Sequence, residues 1–160
     1  MKEQPDETSL PTAIHRRVAD ARAGRDNTLL GRCASGWAVF GQRQFVQGYL
    51  MLLPDPVVPD LNALTPEKRV QFLLDMSRLG DALMRVTAPI RINYAIFGNV
   101  EPALHAHVIP RYRSEPEAMQ TQHPWMYDWN AAPAFDAAAA APLIKSLRGE
   151  LSQLGALRTP

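Results

Sequence analysis

Residues 103–111 read A-L-H-A-H-V-I-P-R, and their alternation marks a strand and what it carries. Leu104, Ala106 and Val108 fall on one face, and His105, His107 and Ile109 fall on the other. Two residues along a strand span roughly 6.5 Å, so two imidazoles project side by side into one space. A neutral imidazole offers a lone pair that can attack phosphorus and an N–H that can bind a phosphate oxygen. One histidine as nucleophile and one as donor or acid to the leaving oxygen suffices for phosphoryl or nucleotidyl transfer. Three other readings stand beside this one. The histidines can be satisfied structurally within a sheet. They can bind zinc, with a third ligand from His15, His123 or an aspartate. Or they can belong to a nucleotide-binding domain that has lost catalysis.

Working outward, residues 91–97 alternate as a partner strand, with Ile92, Tyr94 and Ile96 on one face. Gly98 and Asn99 then turn the chain, and Asn99 sits where it can position a phosphate or ribose without adding charge. The longest helix is expected over residues 66–86. Thr65 is its N-cap, Pro66 its first residue, and Glu67 complements the dipole. Val70, Leu73, Leu74, Ser77, Gly80, Leu83 and Met84 make one face at helical spacing, small enough at Ser77 and Gly80 for close approach to a sheet or a second copy. Upstream, a helix over 11–23 starts at Pro11 and stops at Gly24. Strands over 28–34 and 37–40 are joined by Ser35 and Gly36, and a third covers 47–53. A last helix carries Leu143, Ile144, Leu147, Leu151 and Leu154, with Pro142 at its start or kinking it. This order reads as an α+β domain with an antiparallel sheet.

The bulk numbers narrow the function classes. The chain has 160 residues, 46% hydrophobic and 21% charged, which suits one compact domain. The net charge of +1 supplies no basic field that points to nucleic acid. The single cysteine, Cys33, rules out an internal disulfide framework, suits a reducing cytoplasm and reads as a small buried residue. Residues 1–9 are polar, lack the apolar core of a signal peptide, and are expected to be a disordered lead-in. No stretch approaches the roughly 18 apolar residues that cross a membrane. There is no Walker or dinucleotide fingerprint. His15 reads as a solvated surface residue. His123, beside Pro124 and Trp125, is either a loop anchor or a lid.

The strand L-H-A-H-V-I-P-R, preceded by N-Y-A-I-F-G-N-V-E-P over residues 93–102, resembles the signature region of the histidine-triad (HIT) superfamily. It is most similar to bacterial members described as diadenosine-tetraphosphate hydrolase-like. The strand G-Y-L-M-L-L-P and the P-D-P-V-V-P-D-L-N-A-L segment follow the family order, and the resemblance covers roughly residues 11–130. It implies a HIT-like α+β fold with a five-stranded antiparallel sheet and two main helices over residues 10–130. A C-terminal extension, 131–160, packs its helix on the domain or on a dimer partner.

The family pattern of alternating histidines, laid over this strand, puts Ala103, His105 and His107 at its three positions. The middle histidine is the family's nucleophile, so His105 inherits that role. His107 inherits contact with the phosphate and leaving group. The first position has lost its histidine to Ala103, and none stands near Val57, where many relatives carry another. In the family the middle imidazole is oriented by a backbone carbonyl near the first position, and a carbonyl survives replacement of the side chain by alanine. Asn93 and Asn99 fall where relatives place polar substrate contacts. The resemblance implies hydrolysis or transfer at the α-phosphate of a nucleotide conjugate, such as a dinucleoside polyphosphate, through a nucleotidyl-histidine. It implies a homodimer, no cofactor or metal for the covalent step, and a purine base held between early-strand residues. From the charge, the lack of an apolar span and Cys33, no nucleic-acid or membrane partner and a cytoplasmic location are expected. The alternative is a weak or inactive nucleotide-binding protein.

Overall fold

The computed structural model describes residues 11–158; the expected lead-in, residues 1–9, lies outside them. Helix α1, Ala13–Arg22, starts two residues later than the expected Pro11. Thr12 is its cap: its hydroxyl accepts from the His15 N–H, and the His15 ring bonds back to the Thr12 N–H. His15 is therefore a half-buried capping residue, not a solvated one. Gly24, in the left-handed region at φ 68°, follows the helix end as expected.

Strands β1 (Leu29–Arg32), β2 (Gly36–Phe40), β3 (Leu50–Pro54), β4 (Arg91–Ile96) and β5 (Ala106–Arg111) form one antiparallel sheet in the order β1-β2-β3-β5-β4. Gly36 opens β2 instead of sitting in the turn, and the Cys33 N–H donates to its carbonyl. β3 begins at Leu50, because residues 46–49 make a tight turn closed by the Tyr49 N–H on the Val46 carbonyl. Helix α2 runs Pro66–Thr87 with Thr65 as cap, close to expectation. Helix α3, Ala141–Gln153, takes Pro142 in its first turn, so the proline marks its start and makes no kink.

The two sheet faces have different covers. On one, Leu50, Leu52, Leu104, Ala106 and Val108 pack under Phe72, Leu79 and Leu83 of α2 and Leu147 and Leu151 of α3. Cys33 is buried in this core. On the other, Ile14 and Val18 of α1 cover Val39, Met51 and Leu53, and the cover runs out toward Ala103 and Ile109. That partly bare face is where the histidines emerge.

The buried side of α2 corrects the expected one. Phe72, Asp75, Leu79, Ala82 and Leu83 face inward, whereas Val70, Leu73, Leu74 and Met84 are exposed. The helix carries two apolar stripes, and the inner one was masked by Asp75. That carboxylate is buried because it accepts from the Ser35 N–H and hydroxyl at 2.8 and 2.7 Å and from Gln71 at 2.8 Å. The outer stripe adjoins the sheet edge, where Tyr94 packs on Gly80 so closely that a Cβ there would overlap its hydroxyl.

Candidate functional site

His105 sits just before β5 and His107 within it, on the face that α1 leaves open. Both are buried, and their ring centroids are 4.8 Å apart at 76°. His107 is paired in register with Met51 on one side and the small Ala95 on the other. The His105 Nδ1 donates to the Ala103 carbonyl at 2.7 Å. A carbonyl only accepts, so the proton is on Nδ1 and the lone pair of Nε2 is free. Alanine at 103 therefore keeps the orienting group. The His107 Nδ1 lies 2.6 Å from the hydroxyl of Tyr49. Burial, reinforced by the neighbouring His105, pushes the His107 pKa down to about 3, so its ring is neutral near pH 7. Neither Nε2 has a hydrogen-bond partner among the described residues.

A cavity of about 580 Å³ lies over the pair, walled by Phe97, Trp125 and Trp129 and floored by His105 and His107. Asn99 lines it, together with Gly98 and Glu101. Asn93 does not reach this cavity. Its Oδ1 accepts from the Arg111 guanidinium at 2.9 Å, and it lines a neighbouring cleft behind Phe97 and Trp125, with His123. None of the residues lining the cavity comes from the early strands, whose face α1 covers. The walls are aromatic instead: the Trp125 ring stands edge-on to His107 at 4.9 Å and to Phe97 at 4.8 Å. The Trp129 ring lies against Phe45 at 4.1 Å, tilted by 40°, and 5.5 Å from Trp125.

The segment carrying those tryptophans is tied down by the last residue of β5. The Arg111 guanidinium bonds both carboxylate oxygens of Glu115, Asn93, and the carbonyls of Gln122 and Met119, all at 2.7–3.1 Å. Tyr127 donates its hydroxyl to Glu115 at 2.7 Å, and the Tyr112 N–H does the same at 2.7 Å. Burial works to raise the Glu115 pKa, but the bonds from Arg111, Tyr127 and Tyr112 outweigh it and hold the carboxyl below its ordinary range.

Of the residues singled out from sequence, His105, His107 and Asn99 meet at this cavity and Asn93 does not; Tyr49, Phe97, Glu115 and Tyr127 were not singled out. Tyr49 is 58 positions from His107 and meets it only because β3 pairs with β5. The one local signal was the density of aromatics over residues 123–129. As for metal, no group of three histidine, cysteine, aspartate or glutamate residues suited to hold an ion occurs among the described residues. His15 is engaged at the α1 cap and His123 lines the neighbouring cleft.

No protein-family model and no curated protein matches this chain. Solved structures do. A histidine triad protein from Marinobacter aquaeolei VT8 superposes with a TM-score of 0.70 at 22% identity, covering 91% of this chain and 99% of that one. A histidine triad protein from Bradyrhizobium japonicum gives 0.67 at 24% identity, covering 81% and 94%. A hypothetical histidine triad nucleotide-binding protein from Sulfolobus tokodaii strain7 gives 0.67 at 12% identity, covering 87% and 93%. The fold is thus the α+β fold of histidine triad proteins, spanned almost end to end. At these identities the likeness defines the architecture, and the chemistry has to be argued from His105 and His107 themselves.

Proposed function

We propose that this chain is a nucleotide hydrolase or transferase of the histidine-triad type, acting at the α-phosphate of a nucleotide conjugate. The observation that carries the reading is the 2.7 Å contact of His105 Nδ1 with the Ala103 carbonyl, which calls for the proton on Nδ1 and leaves Nε2 bare toward the cavity. In the first step the Nε2 lone pair forms a bond to phosphorus. The bond from phosphorus to the leaving atom breaks, and its electron pair goes to that atom. The nucleotidyl-imidazole so formed is cationic, which strengthens the Nδ1–H···O=C bond and stabilises the intermediate. Water then attacks phosphorus, loses a proton, and returns His105 with its lone pair. His107 faces the phosphoryl oxygens, and Asn99 stands at the rim to bind phosphate or ribose. Phe97 and Trp125 offer apolar faces for a base, which replaces the early-strand site expected from sequence. Asn93, held by Arg111, supports that wall from behind.

The test is mass spectrometry of the intact protein after brief incubation with diadenosine polyphosphates and with amine-linked adenylates. A nucleotidyl adduct is expected, absent in His105→Ala. Tight nucleotide binding with neither adduct nor product across the panel defeats the enzyme reading in favour of a binding protein. That alternative draws on Ala103, whose buried methyl brings no polar group to the phosphates. We also propose a homodimer with a continuous sheet. Support comes from β4, an edge strand, and from Val70, Leu73, Leu74, Met84, Ile90 and Tyr94, all exposed beside it. The lone, buried Cys33 is consistent with a cytoplasmic setting.

A further inference from the structure

The two histidines are held by different kinds of partner. The carbonyl on His105 can only accept, but the hydroxyl on His107 can donate or accept. Burial decides which. Tyr49 is 2% exposed, and its hydroxyl has no other partner among the described residues. If the His107 Nδ1 were the donor, the phenolic proton would be left buried with nothing to receive it, and such a group is costly. The proton therefore points at Nδ1. The Tyr49 pKa is pushed up by burial, against a smaller opposing effect of Arg17, so the phenol keeps that proton.

The ring has a built seat. Gly41 makes room for it, since a Cβ there would overlap the aromatic carbons. The Gly41 N–H donates to the Tyr49 carbonyl at 3.0 Å, and Gln44 donates to the same oxygen at 3.0 Å. Phe45 and Trp129 close over the ring at 5.1 and 5.5 Å, and the His107 plane lies within 18° of it. These contacts fix the direction from which the hydroxyl reaches His107.

We propose that Tyr49 is a positioning residue that locks His107 as the neutral Nε2–H tautomer. The pair then presents complementary groups to one phosphorus: a bare nitrogen on His105 and an N–H on His107. The catalytic consequence rests on nucleotidyl transfer at this site. In that reaction His107 keeps its hydrogen throughout. It donates a hydrogen bond to a non-bridging oxygen as negative charge gathers there, and the leaving atom takes its proton from water.

NMR of the full-length protein carrying ¹⁵N-labelled histidine reads the tautomers without any substrate. At neutral pH His105 is expected protonated on Nδ1 and His107 on Nε2. In Tyr49→Phe the His107 Nδ1 resonance moves toward that of an unbonded nitrogen, and His105 stays in place. A wild-type His107 protonated on Nδ1, or His107 resonances unmoved in Tyr49→Phe, overturns the proposal, and the first of these needs no variant to fold. Turnover of α-phosphorothioate conjugates adds a kinetic readout. Sulfur accepts hydrogen bonds poorly, so the wild type prefers one diastereomer, and Tyr49→Phe shrinks that preference by roughly 10-fold. Equal slowing of both diastereomers marks a merely structural role and overturns the proposal. The expected tautomers in a protein that turns over no conjugate uphold the Tyr49 pairing and overturn nucleotidyl transfer instead.

Discussion

Replacing Glu115 with alanine tests whether Arg111 builds the wall over the histidines. The side chains of the pair are 4% and 6% exposed, so neither charge is relieved by water. Glu115→Ala removes three bonds from the guanidinium, one from the Tyr127 hydroxyl and one from the Tyr112 N–H. What remains is a buried cation facing Asn93 and two carbonyls. Stranding one member of a buried pair costs about 3–5 kcal/mol, against about 0–1 kcal/mol for an exposed one. Residues 112–130 hang largely on this network, so the loss has two routes: lower global stability, or local opening of that segment. Urea unfolding followed by circular dichroism reads the first. Limited proteolysis and tryptophan emission, to which Trp125 and Trp129 of that segment contribute two of the three indoles, read the second. Arg111→Met combined with Glu115→Leu leaves no stranded charge and is expected to cost less than the sum of the single changes. The reasoning is refuted if Glu115→Ala shifts stability by under about 1 kcal/mol and leaves residues 112–130 as resistant to protease as before.

Two further outcomes follow from the same geometry. Below pH 6.5 the unfolded chain protonates His107 while the folded ring, with its pKa near 3, stays neutral. That stability is complete above pH 6.5 and declines as the pH falls toward 3. Between pH 7 and 5 the decline is about 2 kcal/mol, measured by urea unfolding at the two pH values; His107→Gln flattens it, and an unchanged slope in that variant contradicts the assignment. Leu74→Glu, on the exposed stripe of α2, is expected to give a folded monomer in sedimentation analysis, whereas a wild type that is already monomeric refutes the dimer.

What could be read in advance was local. The strand at residues 103–111 declared its faces by alternation, and Thr65-Pro66 declared the start of α2, because strand period and helix capping are properties of adjacent residues. Two kinds of feature escaped. Val70, Leu73 and Leu74 looked like core because apolar spacing cannot say which of two stripes meets the sheet; the deciding residue was Asp75, a carboxylate that reads as surface until Ser35 arrives from another element. Tyr49 and Glu115 escaped for a related reason. The partner of Tyr49 is brought by sheet pairing and leaves no trace in neighbouring letters. Glu115 stands only four residues from Arg111, but that spacing reads as a solvated surface pair until Tyr127 returns and the segment buries it.

The carbonyl of Ala103 carries a wider consequence. Its oxygen belongs to the main chain, so exchanging the side chain at 103 does not by itself abolish it. The nucleophile's orientation depends instead on chain path, held here by the Leu104 N–H on the Val58 carbonyl at 2.8 Å and by Glu101 on the Ala103 N–H at 3.4 Å. Counting histidines along such a strand is thus a poor gauge of whether its nucleophile is aimed; the hinge points at 58 and 101 are where aim is kept or lost.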